Sequence, residues 1–148
     1  MKFWDSSAVA SLCVREPGSA AVRAALSADP AVVVWWATRT ECVSALVRRV
    51  REGHLTPAGE RQAREVLASL AAAWTEVLPG ESLRGTAERL LAVHSLRAAD
   101  ALQLAAALVW CQGHPAGQVL VTFDTRLGTA GAREGFTILP GPDQSSRA

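Results

Sequence analysis

Cysteine is scarce in this chain of 148 residues, and its three cysteines form no recognisable pattern. Cys13, Cys42 and Cys111 are odd in number, far apart and without a C-x-x-C motif. The sequence therefore argues against a disulfide framework or a structural zinc site. Each cysteine falls in a helix-like apolar segment, so we expect buried free thiols, which suit a reducing compartment.

The sequence also lacks features that would carry it into a membrane. No basic start is followed by an apolar stretch, so we expect no signal peptide. The longest apolar run, residues 104–111, is too short to span a bilayer. Internal repeats, low-complexity segments and long polar stretches are absent as well. We therefore expect a soluble, cytoplasmic protein.

A strong charge of either sign is missing too. The net charge is +1, so bulk electrostatics do not indicate a nucleic-acid-binding protein. Lys2 is the only lysine, and every other basic residue except the histidines is an arginine. The planar guanidinium group suits phosphate, but heavy use of alanine and arginine fits a GC-rich genome equally well.

Strand-like and helix-like segments alternate along the chain. The patterns predict strands over residues 1–4, 31–36, 77–78, 118–123 and 136–139, and helices over 6–14, 19–28, 38–51, 56–74, 81–94, 96–110 and 125–134. This alternation predicts an α/β fold with three layers, α/β/α, around a central, mainly parallel sheet of about four or five strands. We expect residues 1–140 to form one domain and residues 141–148 to be a flexible C-terminal tail.

Two of the predicted helices have unusual compositions. Residues 96–110 are apolar nearly all round, which predicts a central, buried helix. Residues 125–134 are predicted to form a weak helix, because Gly128 and Gly131 interrupt it.

Three acidic residues are predicted to share one edge of the sheet. Asp5 directly follows the first strand, Asp124 directly follows the strand over 118–123, and Glu41 lies in the first turn after the second strand. In an open parallel sheet, ligands bind beyond the carboxyl ends of the strands. Each residue also has a structural explanation. Asp5 and Asp124 can be helix N-caps, and Thr38-x-x-Glu41 matches a capping box.

Asp100 differs from these three, because it lies inside the apolar helix over 96–110. It shares a stripe with Leu104 and Leu108, so it is predicted to point where a core helix packs. No capping position explains it, and Arg97 is the only basic residue nearby. We expect Arg97 to pair with Asp100 or to reach the substrate, with pairing favoured.

Converging carboxylates need positive charge. Two like charges about 4 Å apart repel by roughly 4 kcal/mol at an effective dielectric constant of 20. Hard oxygen ligands of this kind select Mg²⁺ or Mn²⁺. Such ions can clamp a phosphodiester and activate a water for in-line attack. The four carboxylates therefore indicate a metal-dependent nuclease.

Four segments resemble the motifs of the PIN-domain family, and of its VapC-type toxins in particular. In chain order they are Phe3-Trp4-Asp5-Ser6-Ser7-Ala8; Thr40-Glu41 followed by Ser44-Ala45-Leu46; Leu96-Arg97-Ala98-Ala99-Asp100-Ala101-Leu102-Gln103-Leu104-Ala105; and Val121-Thr122-Phe123-Asp124-Thr125-Arg126-Leu127. Only the third motif is specific by itself. The motifs follow the family's order and span residues 3 to 127.

This resemblance implies a PIN-like fold and a Mg²⁺- or Mn²⁺-dependent endoribonuclease, the toxin of a type II toxin–antitoxin pair. It implies an RNA substrate, a homodimer, and an antitoxin protein that blocks the site with a short segment. By position, Asp5, Glu41, Asp100 and Asp124 carry over as catalytic metal ligands. Ser6 and Thr122 carry over as neighbours that hydrogen-bond a ligand carboxylate or the phosphate. The fourth motif offers a single carboxylate, which favours one tightly held ion and a weaker, substrate-dependent second ion.

Other polar and aromatic residues admit ordinary explanations. Arg39, Arg48, Arg49 and Arg51 could contact RNA phosphates or form a solvated helix face. His54, His94 and His114 have no metal-like or triad-like spacing. Of Trp35 and Trp36, one is expected in the core, and the other at an oligomer interface or stacked on a base.

Two other functions remain open from the sequence. One is an α/β phosphate-ester hydrolase with Asp5 as a covalent nucleophile, although Asp5-Ser6-Ser7 lacks the second aspartate of such enzymes. The other is a non-catalytic module whose acidic edge docks a basic partner.

Overall fold

The computed structural model describes residues 1–141, in which helices and strands alternate. The strands are β1 (Lys2–Trp4), β2 (Val32–Trp35), β3 (Thr75–Val77), β4 (Val119–Val121) and β5 (Thr137–Leu139). The helices are α1 (Ser6–Cys13), α2 (Ser19–Ala28), α3 (Thr38–Arg51), α4 (Pro57–Ala71), α5 (Glu81–Val93), α6 (Ala98–Trp110) and α7 (Thr125–Glu134). The predicted three-layer α/β/α fold is confirmed. Of the tail predicted over 141–148, all but Gly141 lies outside the described residues.

The five strands form one parallel sheet in the order β3-β2-β1-β4-β5. The central strand, β1, pairs with β2 and β4, so that Phe3 lies beside both Val33 and Leu120. The chain builds outwards from β1 to β3 and then crosses back to build β4 and β5. The order therefore reverses between β1 and β4, and such a switch point forms a crevice at the carboxyl ends of the strands.

Two apolar cores cover the two faces of the sheet. Phe3, on one face, packs in a cluster with residues of α5 and α6, while Trp4, on the other face, packs with residues of α1, α3 and α4. Successive side chains of a strand point to opposite faces, which explains the division. Both aromatic side chains are fully buried, so β1 is fixed from both sides.

Helix α6 is central and buried, as its composition predicts. Seven of its residues are buried: Ala101, Gln103, Leu104, Ala105, Ala106, Ala107 and Leu108. It begins at Ala98, however, and not at Leu96, because Arg97 has an extended backbone and is the N-cap. This two-residue difference changes the position of Asp100 in the helix.

The prediction that glycines interrupt helix α7 is wrong, because the helix is continuous from Thr125 to Glu134. Gly131 instead lets the helix lie close to β4 and β5. A Cβ atom at that position would lie 2.7 Å from Leu120 Cδ2 and 3.1 Å from Ile138 Cδ1. The helix ends at Gly135, whose φ of 113° is in the left-handed region that favours glycine.

Other differences from the predicted elements are confined to their ends. Helix α4 ends at Ala71, three residues before the predicted end, and β3 begins at Thr75, two residues before the predicted start. The pairing of Thr75 with Val33 extends β3 as an edge strand although Thr75 and Glu76 are exposed. None of the helices in residues 1–141 has the length and apolar character needed to cross a membrane.

The close approach of α7 to the sheet yields a stability prediction. Substitution Gly131→Ala should lower the free energy of unfolding by about 1–2 kcal/mol, because overpacking costs about 1–3 kcal/mol and outweighs a helix-propensity gain of about 1 kcal/mol. The matched control is Gly85→Ala in α5, where a Cβ atom meets nothing within 4 Å. That change should raise the free energy by up to about 1 kcal/mol. Urea denaturation of both variants checks the pair, and equal effects would contradict the packing argument.

Candidate active site

The carboxyl ends of β1 and β4 bring Asp5 and Asp124 to the same crevice. The backbone N–H of Asp5 donates to the carbonyl of Val121 at 3.0 Å, which continues the β1–β4 ladder by one residue. Asp124, three residues after Val121, is the N-cap of α7. Residues far apart in sequence therefore meet at the switch point of the sheet.

The Asp5 carboxylate is held on one side by three hydrogen bonds. Its Oδ2 accepts from the Ser7 backbone N–H at 3.2 Å, from Ser7 Oγ at 2.5 Å and from Thr122 Oγ1 at 2.8 Å. Within residues 1–141, its Oδ1 has one hydrogen bond, from Ser6 Oγ at 3.3 Å. The residue is only 4% exposed. Its orientation is thus fixed through one oxygen, while the other keeps most of its acceptor capacity.

The two hydroxyls that hold Asp5 also join the ends of the strands. Ser7 Oγ accepts from the backbone N–H of Phe123 at 3.0 Å, and Thr122 Oγ1 accepts from that of Asp124 at 3.0 Å. Each hydroxyl therefore donates to the carboxylate and accepts from the β4–α7 turn. Ser7 was not singled out in the sequence. The N-cap position of Asp5 could have revealed it, since the cap oxygen faces the backbone two residues on.

Asp124 is the N-cap of α7, and its Oδ1 accepts from the Leu127 backbone N–H at 2.7 Å. Asp5 likewise caps α1. Both predicted capping roles are therefore present. In the described part of the chain, no hydrogen bond reaches Asp124 Oδ2. Capping consequently engages one oxygen of each aspartate and leaves the other for a ligand.

The predicted Thr38–Glu41 capping box is absent. Ala37 is the N-cap of α3, without a side-chain hydrogen bond, and the buried Thr38 hydroxyl has no hydrogen-bond partner among residues 1–141. Glu41 turns instead towards α6, where its Oε2 accepts from Gln103 Nε2 at 2.8 Å. Gln103 is 1% exposed and was missed in the sequence. A lone amide on a buried, otherwise apolar helix, three residues after Asp100, is the signal that could have found it.

Asp100 lies in the first turn of α6, since the helix begins at Ala98. As predicted, Asp100 does not occupy the capping position, which is that of Arg97, but a carboxylate this close to a helix N-terminus is stabilised by it. The expected ion pair with Arg97 does not form, since no ion pair in residues 1–141 joins the two side chains within 4.0 Å. Arg97 is exposed, and its charge acts on Asp100 only weakly.

The four carboxylates act on one another electrostatically. Burial and then the charges of Asp124 and Asp5 raise the pKa of Asp100 above its usual range, although the backbone and charge of Arg97 oppose this. Burial also raises the pKa of Glu41, with smaller contributions from Asp5 and Asp100, against hydrogen bonds from Ser6 and Gln103. Asp5 acts on both groups, so it lies at the centre of the cluster.

The residues present fit a hard divalent cation. The cluster offers carboxylate oxygens, and burial followed by the neighbouring like charges raises the pKa of Glu41 and of Asp100. Asp5 Oδ1 and Asp124 Oδ2 retain acceptor capacity. Within residues 1–141, no three acidic, cysteine or histidine side chains are gathered tightly enough to hold an ion as they stand. An ion held by fewer protein ligands would complete its coordination with water, as Mg²⁺ usually does.

Two clefts meet at this cluster and share Ala99. One, of about 550 Å³, is lined by Arg97, Ala99, Asp100, Phe123, Asp124, Thr125 and Arg126. The other, of about 310 Å³, is lined by Ser6, Ser7, Glu41, Ser44, Ala45, Arg48 and Ala99. A third cavity of about 720 Å³, between α1, α3 and α4, contains none of the four carboxylates. The clefts therefore form a groove with carboxylates along its floor and arginines at its rim.

Apart from Arg48, the arginines of the predicted cluster and the three histidines do not line this groove. Arg49 pairs with Glu16 at 2.9 Å and lines the cavity of about 720 Å³, whereas Arg48 lines the cleft that contains Glu41. His94 Nε2 lies 2.7 Å from Glu134 Oε1, and the other two histidines are exposed.

The cysteines and tryptophans are largely as predicted. Cys13 and Cys42 are buried free thiols, and burial raises the pKa of Cys13 to about 11, whereas Cys111 is only half-buried. Trp35 is in the core and Trp36 is 55% exposed.

The fold and the cluster define an α/β protein with a carboxylate centre at the switch point of a parallel sheet. The sequence model of the PIN domain family matches residues 2–132, and the chain belongs to that family. PIN domains are typically metal-dependent nucleases. Comparison with curated proteins finds no match. The match spans all four acidic residues and the three residues that hold Asp5 and Glu41.

The hydroxyl at position 122 yields a prediction. Thr122→Val keeps the shape of the side chain but leaves Asp5 Oδ2 with one donor fewer and the Asp124 N–H without its acceptor. The free energy of unfolding should fall by about 1–3 kcal/mol. The control is Thr129→Val on the exposed side of α7, whose hydroxyl only donates to the carbonyl of Thr125. It should change stability by less than about 0.5 kcal/mol. If chemical denaturation gave a similar loss of free energy for both variants, the two hydrogen bonds of Thr122 would contribute no more stability than the single bond of Thr129.

The raised pKa of Asp100 predicts a gain in stability when its charge is removed. In the absence of divalent ions, Asp100→Asn should raise Tm by roughly 2–4 °C at neutral pH, because the folded protein disfavours the ionised form. The gain should shrink as the pH falls through the raised pKa of the folded protein, and it should vanish only below about 4, where the carboxyl becomes protonated in the unfolded chain as well.

Asp29 is the matched control with the opposite sign. The N-terminal amino group, with smaller contributions, lowers the pKa of Asp29 to about 2. Asp29→Asn should therefore lower Tm at neutral pH. Thermal melts from pH 4 to pH 8 test both variants, and a destabilised Asp100→Asn protein would contradict the repulsion described here.

Proposed function

We propose that this protein is a Mg²⁺- or Mn²⁺-dependent endoribonuclease. Asp5, Glu41, Asp100 and Asp124 are its metal-binding and catalytic residues. The observation that carries the proposal is the gathering of the carboxylates in a groove rimmed by arginines, where burial and then the neighbouring carboxylates raise the pKa of Glu41 and Asp100. Buried like charges of this kind are costly for the fold, and they gain a use only with a bound cation.

When bound, a divalent ion would supply an activated water and charge for the phosphodiester. The chain holds its ligands for this chemistry. Ser7 and Thr122 orient Asp5 so that Oδ1 faces away from the network, and Gln103 orients Glu41. Such outer hydrogen bonds place metal ligands in functional sites. Ser6 and Thr122 act through Asp5 in this scheme, and Arg97 contacts the substrate.

The network favours one tightly bound ion. Asp5 is fixed by three donors, whereas one oxygen of Asp124 already accepts the Leu127 backbone N–H as the cap of α7. The β4–α7 turn offers no second carboxylate, since the residues after Asp124 are Thr125, Arg126 and Leu127. We propose that a second ion binds weakly and with the substrate.

We also propose that this ribonuclease is the toxin of a toxin–antitoxin pair. This role is supported by the four motifs that resemble VapC-type toxins, above all residues 96–105 around Asp100. On this view an antitoxin protein blocks the groove with a short segment, and the chain acts as a homodimer in the cytoplasm. An exposed Trp36 and an exposed Leu78 follow the neighbouring strands β2 and β3 and offer apolar surface for such contacts.

The structure disfavours Asp5 as a covalent nucleophile. The residue is 4% exposed, and Oδ2 accepts three hydrogen bonds from the protein. An acidic docking module also fits less well, because the arginines at the rim would repel a basic partner.

The nuclease proposal is tested with purified protein and labelled single-stranded RNA. Cleavage should need added Mg²⁺ or Mn²⁺ and stop with chelator, and Asp5→Asn and Asp100→Asn should each lower the rate at least about 100-fold. Asp29→Asn, which removes a carboxylate far from the groove, should keep full activity. RNA cleavage that survives both site variants would refute the assignment.

The toxin role is checked with the same variants in cells. Expression of the chain should stop growth, Asp100→Asn should not, and co-expression of a small protein encoded next to it should restore growth. Metal-dependent cleavage without growth arrest would leave the nuclease standing and remove the toxin role.

A further inference from the structure

A separate cleft, called here the α7 cleft, continues the active-site groove along α7. It has a volume of about 270 Å³ and is lined by His94, Ser95, Thr125, Arg126, Thr129, Ala130 and Arg133. Thr125 and Arg126 also line the cleft that contains Asp100 and Asp124. The two clefts are therefore neighbours that share a wall. An RNA strand that leaves the carboxylates can enter the α7 cleft directly.

The polar residues of this cleft lie on one face of α7. Arg126, Thr129 and Arg133 are separated by three and four residues, which is the spacing of a single helical face. Arg126 and Arg133 lie about 10 Å apart along the helix axis, at a rise of 1.5 Å per residue. The face thus presents two cations and a hydroxyl in a row that leads away from the carboxylates.

These two arginines are not engaged within the described residues. Neither side chain has a hydrogen bond or an ion pair there, whereas Arg49, Arg64, Arg84 and Arg89 are each paired with a glutamate. Both arginines are exposed. Their charge is therefore available to an anion from outside the chain.

The nearest carboxylate on α7 does not neutralise Arg133. Glu134 is bound by Arg89 at 3.0 Å and lies 2.7 Å from His94 Nε2, on the side of α5. The Arg89 hydrogen bond lowers the pKa of Glu134, so its charge is compensated locally. The side chain of His94 is 8% exposed and forms part of the cleft wall that this contact fixes.

We propose that the α7 cleft binds the sugar–phosphate backbone of the RNA on one side of the scissile bond, with Arg126 and Arg133 as the phosphate contacts. This inference rests on the proposed nuclease function. Contacts to phosphates position a strand without reading its sequence. The enzyme therefore binds RNA more tightly when the strand extends beyond the cut on that side, whatever the bases of the extension.

The test compares Arg133→Gln with the wild-type protein on two substrates, a dinucleotide and an RNA extended by several nucleotides on both sides. For the extended RNA, KM should rise roughly fivefold, as expected for one exposed charge contact, while kcat stays unchanged. The dependence of log KM on log salt should weaken by about one contact. Cleavage of the dinucleotide should not change.

Two further variants separate the cleft from general effects. Arg61→Gln removes an exposed arginine of α4 that lines none of these clefts, and it should leave KM and the salt dependence as in the wild type. Arg133→Lys keeps the charge, so its affinity for the extended RNA should be close to that of the wild type. If Arg133 had only a structural role in the last turn of α7, the effect of replacing it would not depend on the length of the RNA.

The failures of the two proposals are distinguishable. If the wild-type protein cuts no RNA, the nuclease function and this inference fall together. If it cuts RNA but Arg133→Gln leaves KM unchanged, or raises it equally for the dinucleotide and the extended RNA, only the α7 cleft assignment is overturned.

Discussion

The hydrogen bonds from Ser7 and Thr122 to Asp5 Oδ2 connect the site to the fold. They lie where β1 and β4 end side by side, and each hydroxyl also receives a backbone N–H from the β4–α7 turn. Asp5 is thereby oriented without a cation, and the position of Asp124 depends on the same contacts. The carboxylate centre is consequently built on the central strand pair of the sheet and not on surface loops. The fold therefore fixes its geometry.

The four carboxylates show how structural and functional roles share one residue. Asp5 and Asp124 each cap a helix through one oxygen, and Asp100 lies in the favourable first turn of α6. Helix ends thus offset part of the cost of gathering negative charge. The remaining cost is visible in the raised pKa of Glu41 and Asp100. The proposed metal site thus trades stability for affinity towards a cation, as functional sites often do.

Sequence periodicity was enough to predict every helix and strand, the parallel sheet and the edge on which Asp5, Glu41 and Asp124 lie. It failed where tertiary contacts override local patterns. Thr38 and Glu41 match a capping box, yet Glu41 turns to Gln103, sixty-two residues away. Gly128 and Gly131 suggest a broken helix, yet Gly131 serves a close approach to Leu120 and Ile138. The start of α6 depended on the backbone of Arg97, which hydrophobic patterning does not report, and this altered the interpretation of Asp100.

The strand order has a consequence for synthesis of the protein on the ribosome. Asp5 is translated first, but Thr122, which holds it, follows 117 residues later, and Gln103, which orients Glu41, is also late in the chain. Strand β4 must be inserted next to β1 after β2 and β3 have been made. A growing chain therefore cannot complete the carboxylate centre until most of it has emerged. For the proposed ribonuclease, this order delays activity until β4 and the turn that leads to α7 have been translated.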